Sequence, residues 1–144
     1  MHDTMRKFGY PETLVREYDH WVVLVRTDQI TAGSLVVACK EDAQRLSDVS
    51  QAAYTEFKTV VADVEMALER AFAYEKINYL ALMMMDKEVH FHVIPRYPAP
   101  IEACGLTFED PGWPGVPDLG HVVALDASGI SEMRDKIGSC LPPR

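Results

Sequence analysis

Glu88-Val89-His90-Phe91-His92-Val93-Ile94-Pro95-Arg96 is the stretch on which the reading of the fold turns. Polar and apolar residues alternate through its first six positions, the pattern of a strand with one face in a core. Val89, Phe91 and Val93 then point one way, and Glu88, His90 and His92 the other. Same-face neighbours lie about 6.6 to 7 Å apart at the Cα level, so one imidazole reaches a phosphorus atom while the next reaches an oxygen attached to it. Neutral imidazole is a nucleophile near pH 7, and its protonated form donates a proton in the same range. The spacing therefore suits attack by His90 on phosphorus, giving a phosphoramidate, with His92 protonating the leaving oxygen or nitrogen. Such assistance is typically worth on the order of 10² to 10⁴ in rate. Arg96 and Lys87 are the nearest cations in sequence that would balance the phosphate charge.

Working outward, a strand is expected from Lys76 to Met84, joined to the histidine strand by Met85-Asp86-Lys87, the length of a tight hairpin. From Ser50 to Ala73 apolar residues recur at spacings of three and four without Pro or Gly, which predicts a long amphipathic helix capped by Ser50. Trp21 to Arg26 and Ser34 to Cys39 are β-branched and apolar around turn-forming residues and predict an antiparallel hairpin. Glu12 to Tyr18 suits one or two helical turns. Beyond Arg96, five prolines and several glycines predict irregular chain over Tyr97 to Gly120, with a short strand near Leu106 to Phe108 and a terminal helix from Ser128 to Ile137. Strands, then helix, then strands argue for an α+β fold: an antiparallel sheet of about five strands with helices on one face.

The 144 residues suit one domain, with its core in 20–97 and a Pro/Gly-rich extension over 98–144. A net charge of -8 argues against nucleic-acid and anionic-membrane partners, so any phosphate site must be local. Cys39, Cys104 and Cys140 are odd in number and follow no metal-ligand spacing, which fits a reducing compartment. Met1 to Tyr10 lacks the apolar segment of a secretory signal, and Tyr79 to Met85 is too short to span a bilayer; the expected location is the cytoplasm.

His90-Phe91-His92-Val93-Ile94-Pro95-Arg96 resembles the second and third histidines of the histidine triad motif and the residues that follow them. The hairpin containing Ala32-Gly33-Ser34-Leu35-Val36-Val37 is similar to that family's paired strands, and the likeness covers roughly residues 20 to 97. The resemblance implies hydrolysis or transfer at the α-phosphate of a nucleotide conjugate, such as a dinucleoside polyphosphate or nucleoside phosphoramidate. It implies a nucleotidyl-histidine intermediate on His90, no obligatory metal or other cofactor, and a homodimer whose sheets join. His92 falls on the third histidine, which contacts phosphate and leaving group, and Arg96, Lys87, Glu88, Arg26 and Ser34 are the expected substrate-binding residues. Three positions depart from the pattern: Glu88 replaces the first histidine, Arg26 stands where an Asp or Asn usually meets the ribose, and Met85-Asp86-Lys87 replaces a Gly-rich stretch.

Two other functions compete. Glu88, His90 and His92 could form a carboxylate and two-histidine metal site, although three same-face positions spread over about 13 Å converge poorly on one ion. A nucleotide-binding or sensing protein with little turnover would keep the same strand. Met83-Met84-Met85 reads as core filling, and Trp113 as a packing residue in a rigid loop. Trp21, Leu24 and Ile30 suit a base pocket or a core equally well. His2, His20 and His121 are assigned no role.

Overall fold

The computed structural model describes residues 3–144, so His2 lies outside the described residues. Two strands of five apolar residues, β2 (Trp21–Val25) and β4 (Leu35–Cys39), pair antiparallel with Trp21 opposite Cys39 and Val25 opposite Leu35. They are the expected hairpin. The turn before β4 places Gly33 at φ +82°, and a Cβ there would stand 2.9 Å from Phe72 and 3.0 Å from Leu68, so neither the backbone nor the packing tolerates a side chain. Outside β2 lies β1 (Leu14–Glu17), so the segment read as helical turns is an edge strand. Tertiary pairing with Val22 to Leu24 outweighs the weak local helix signal there.

The histidine strand follows the hairpin in space. In chain order the elements are α1 (Asp3–Lys7), β1, β2, β3 (Asp28–Gln29), β4, α2 (Gln51–Phe72), β5 (Lys76–Leu80), β6 (His90–Arg96), β7 (Ile101–Ala103), β8 (Leu106–Phe108), β9 (Val123–Ala124) and α3 (Ala127–Gly138). β6 pairs antiparallel with β4 on one side and β5 on the other, giving a five-stranded sheet of order β1-β2-β4-β6-β5. The fold is α+β, as expected. β5 ends at Leu80 and β6 begins at His90, so the connection is a longer loop over 81–89 rather than a tight hairpin. Glu88 therefore precedes the strand.

Each face of the sheet has its own cover. Trp21, Val23, Val25, Leu35, Val37, Cys39 and Val93 join residues of α2 and α3 in the main core. α2 presents Ala53, Val60, Val64, Ala67 and Leu68 to that core, and its first turn is capped by Ser50, whose Oγ accepts from the Ala53 amide at 3.1 Å. The Trp21 indole donates to the Ala53 carbonyl at 2.8 Å, tying β2 to the start of α2. The opposite face carries Val22, Leu24, Val36 and Ala38, covered by Met5, Phe8, Tyr10 and Leu14 from the N-terminal segment. Ala38 pairs with His90 and Val36 with His92, which puts both histidines on this second face, away from α2 and α3. No helix among the described residues is long and apolar enough to cross a membrane.

Candidate active site

Residue alternation in β6 delivers the two imidazoles side by side, with ring centroids 5.1 Å apart and planes at 82°. His90 is fully buried, and its Nδ1 lies 2.8 Å from the Glu88 carbonyl oxygen. A carbonyl only accepts, so Nδ1 carries the proton and donates. In the neutral ring the lone pair is then on Nε2, a buried atom without a hydrogen-bond partner. Leaving a polar atom unpaired in a core costs about 1–3 kcal/mol. The Phe8 ring sits over both histidines at 5.5 Å from each ring centroid.

His92 is held from the other side. Arg26 Nη1 lies 2.8 Å from His92 Nδ1, and a guanidinium has no acceptor to offer, so Nδ1 accepts and the ring proton resides on Nε2. Burial, then the charge of Arg26 and then His90 push the His92 imidazolium down to about 4, against a weaker opposing pull from Asp86. His92 is neutral at pH 7, which revises the expectation of a charged proton donor. The Arg26 Nε donates in turn to the Asp28 carbonyl at 2.7 Å, and the Arg26 carbonyl accepts from Gln29 Nε2 at 2.7 Å. Arg26 and His92 lie 66 positions apart, so their contact leaves no local pattern in the sequence.

A cavity of about 520 Å³ opens beside His92. Arg26, Lys7, Asp28 and Asp86 supply its charge, and Ile30, Leu80, Leu82, Met84, Met85 and Leu119 supply apolar wall. Lys7 and Asp86 form an ion pair of 3.3 Å. Its two cationic and two acidic side chains balance, and the apolar wall offers a surface for a flat apolar group. Lys7, Phe8 and Asp86 were not expected here; short sequence distance to the histidines was the only available signal, and only Asp86 carried it.

The other expected residues are placed differently. Arg96 is buried and saturated: Nε and Nη2 donate to Asp110 at 2.7 and 3.0 Å, and Nη1 to Asn78 Oδ1 at 2.8 Å. It braces the end of β6 against the loop at Asp110 rather than facing the cavity. Ser34 is buried in the turn, where its Oγ donates to the Thr31 carbonyl at 2.8 Å. Lys87 is exposed and does not line the cavity. Glu88 is half-buried, and its Oε1 accepts from the Thr4 amide at 3.3 Å, tying the loop to the N-terminal segment. Among the described residues no three His, Cys, Asp or Glu side chains are arranged to hold a metal ion, so Glu88, His90 and His92 do not converge as that alternative required.

Of the candidate base-pocket residues, only Ile30 lines the cavity; Trp21 is in the main core and Leu24 beneath the N-terminal segment. Met84 and Met85 are 79% and 89% exposed, which corrects their reading as core filling, because the chain has already left β5. Only Met83 packs on the core. Trp113 lies along β5 with Pro114 and Pro117, lining a second groove of about 660 Å³.

A model of the HIT domain family matches residues 7–99, which include both histidines and every strand of the sheet. The chain belongs to the HIT family. Solved histidine triad proteins share the fold: one from Sinorhizobium meliloti at TM-score 0.76 and 19% identity, and one from Bradyrhizobium japonicum at 0.74 and 19%, each match covering 98% of this chain and 96% of the other. A third, from Marinobacter aquaeolei, has a TM-score of 0.75 at 18% identity over 98% of this chain and 94% of that one. No curated protein matches. HIT membership points to nucleotide binding or nucleotidyl hydrolase or transferase activity.

Proposed function

We propose that this HIT protein is a nucleotidyl hydrolase or transferase acting at the α-phosphate of a nucleotide conjugate through a covalent intermediate on His90. The observation that carries this reading is the His90 Nδ1 contact with the Glu88 carbonyl at 2.8 Å, which in the neutral ring puts the lone pair on Nε2, a buried atom without a hydrogen-bond partner. An imidazole held in that tautomer needs no base before it attacks. The base would lie against Ile30, Leu80 and Leu82, and the phosphates near Arg26 and Lys7. β5 is an outer strand of the sheet, and joining it to the same strand of a second copy would give the homodimer.

A panel of dinucleoside polyphosphates, nucleoside phosphoramidates and nucleotide sugars, run with wild type and His90→Ala, tests the reading. Turnover is expected in the wild type, together with a nucleotidyl adduct on His90 in mass spectra of quenched reactions. Full activity in His90→Ala would remove the mechanism. The second reading, a nucleotide-binding protein with little turnover, is favoured by the complete burial of His90 beneath Phe8. It predicts tight nucleotide binding without an adduct.

A further inference from the structure

We infer that Arg26 is a positioning residue that locks His92 as a neutral Nε2–H donor, so that the site selects conjugates whose leaving group departs without a proton, phosphoanhydrides, over phosphoramidates. The inference rests on the nucleotidyl-transfer reading above and narrows its substrate. The guanidinium nitrogen 2.8 Å from His92 Nδ1 always carries hydrogen, so Nδ1 cannot also be protonated while the contact stands. His92 then has one ring proton, on Nε2, and a neutral imidazole N–H does not dissociate near pH 7. It offers a hydrogen bond to a phosphate oxygen and no proton to a leaving group.

The charges around His92 act on balance against its imidazolium. Arg26 and His90 disfavour its imidazolium, Asp86 favours it more weakly, and Lys7 is paired with Asp86. Asp28 lines the same cavity, but its backbone carbonyl, accepting from Arg26 Nε, helps aim the guanidinium at His92.

In an anhydride, the His90 Nε2 lone pair forms the nitrogen–phosphorus bond while the bridging phosphorus–oxygen bond breaks. The released pair stays on a phosphate oxygen, a stable anion at pH 7. Water then adds to phosphorus, the nitrogen–phosphorus pair returns to Nε2, and one water proton passes to solvent. In an amidate the broken bond would leave its pair on an amine nitrogen, which must be protonated as it departs. Without a general acid that step loses an assistance of about 10²- to 10⁴-fold.

The test compares kcat/KM for diadenosine tetraphosphate and adenosine 5′-phosphoramidate in wild type and Arg26→Met, alongside ¹⁵N NMR of the His92 ring. The wild type is expected to favour the anhydride by about 10²-fold or more. In Arg26→Met at pH 6 the ratio should narrow at least about tenfold, since any binding loss common to both substrates cancels in it. The NMR spectrum of the wild type should show His92 with Nδ1 unprotonated and Nε2 protonated down to pH 5, and the variant should titrate nearer the ordinary histidine range. Equal turnover of the two substrates by wild type, or a protonated Nδ1, would overturn the inference. If no conjugate is turned over, the proposed function and the substrate selection fail together, while the NMR spectrum separately decides whether Arg26 sets the His92 tautomer.

Discussion

Replacing Phe8 by Ala should uncover His90. The ring lies 5.5 Å from each imidazole centroid, and His90 has no exposed surface beneath it. Aromatic contacts of this kind are worth about 0.5–1.5 kcal/mol each, so losing both shifts the opening of the N-terminal segment by roughly 1–3 kcal/mol. That is about a 5- to 150-fold increase in the open population. Contacts of Phe8 with the Met5, Val22 and Leu24 cluster add to the effect. Diethyl pyrocarbonate attacks unprotonated imidazole nitrogen, and peptide mass mapping assigns the adduct, so the modification rate at His90 reports the open fraction when opening and closing are fast. Wild-type His90 should react far more slowly than half-buried His20, and Phe8→Ala should accelerate His90 with little change at His20. An unchanged His90 rate in a variant that keeps its circular dichroism spectrum would refute the claim that Phe8 shields His90.

Asp110→Ala strands the Arg96 guanidinium, which is 4% exposed, and breaking such a pair costs about 3–5 kcal/mol, so calorimetry should find Tm lower by roughly 6–20 °C. His92 is lowered to about 4 from an unfolded value near 6.5, so the unfolded chain binds more protons between those values. Its contribution to stability is full above about pH 6.5 and is lost as pH falls through 4, by about 3 kcal/mol in total; urea titrations across this window should show a smaller pH slope in His92→Gln. Gly33→Ala forces a side chain to φ +82° and against Phe72 and Leu68; a loss of at least about 1 kcal/mol is expected from denaturant midpoints.

Local chemistry carried much of the architecture into the sequence. Period-two alternation in β6, the β-branched hairpin of β2 and β4, and the Ser50 cap with its three- and four-residue spacing are all properties of adjacent residues, and they appear in the structure within a residue or two. Short elements were less legible. The Leu14–Glu17 strand takes its form from pairing with β2, and the early end of β5 exposes methionines that look like core by composition alone.

Within the candidate site, local alternation alone puts His90 and His92 on one face of a strand, because it follows from the pleat whatever surrounds it. What each histidine can do depends on residues distant in the chain. Arg26 arrives at His92 from the end of β2, Phe8 covers both rings from the N-terminal segment, and Arg96 is drawn to Asp110 rather than to the cavity. A tautomer, a charge state and an access route depend on which distant groups desolvate and hydrogen-bond a side chain, and those partners are brought together only when the sheet assembles.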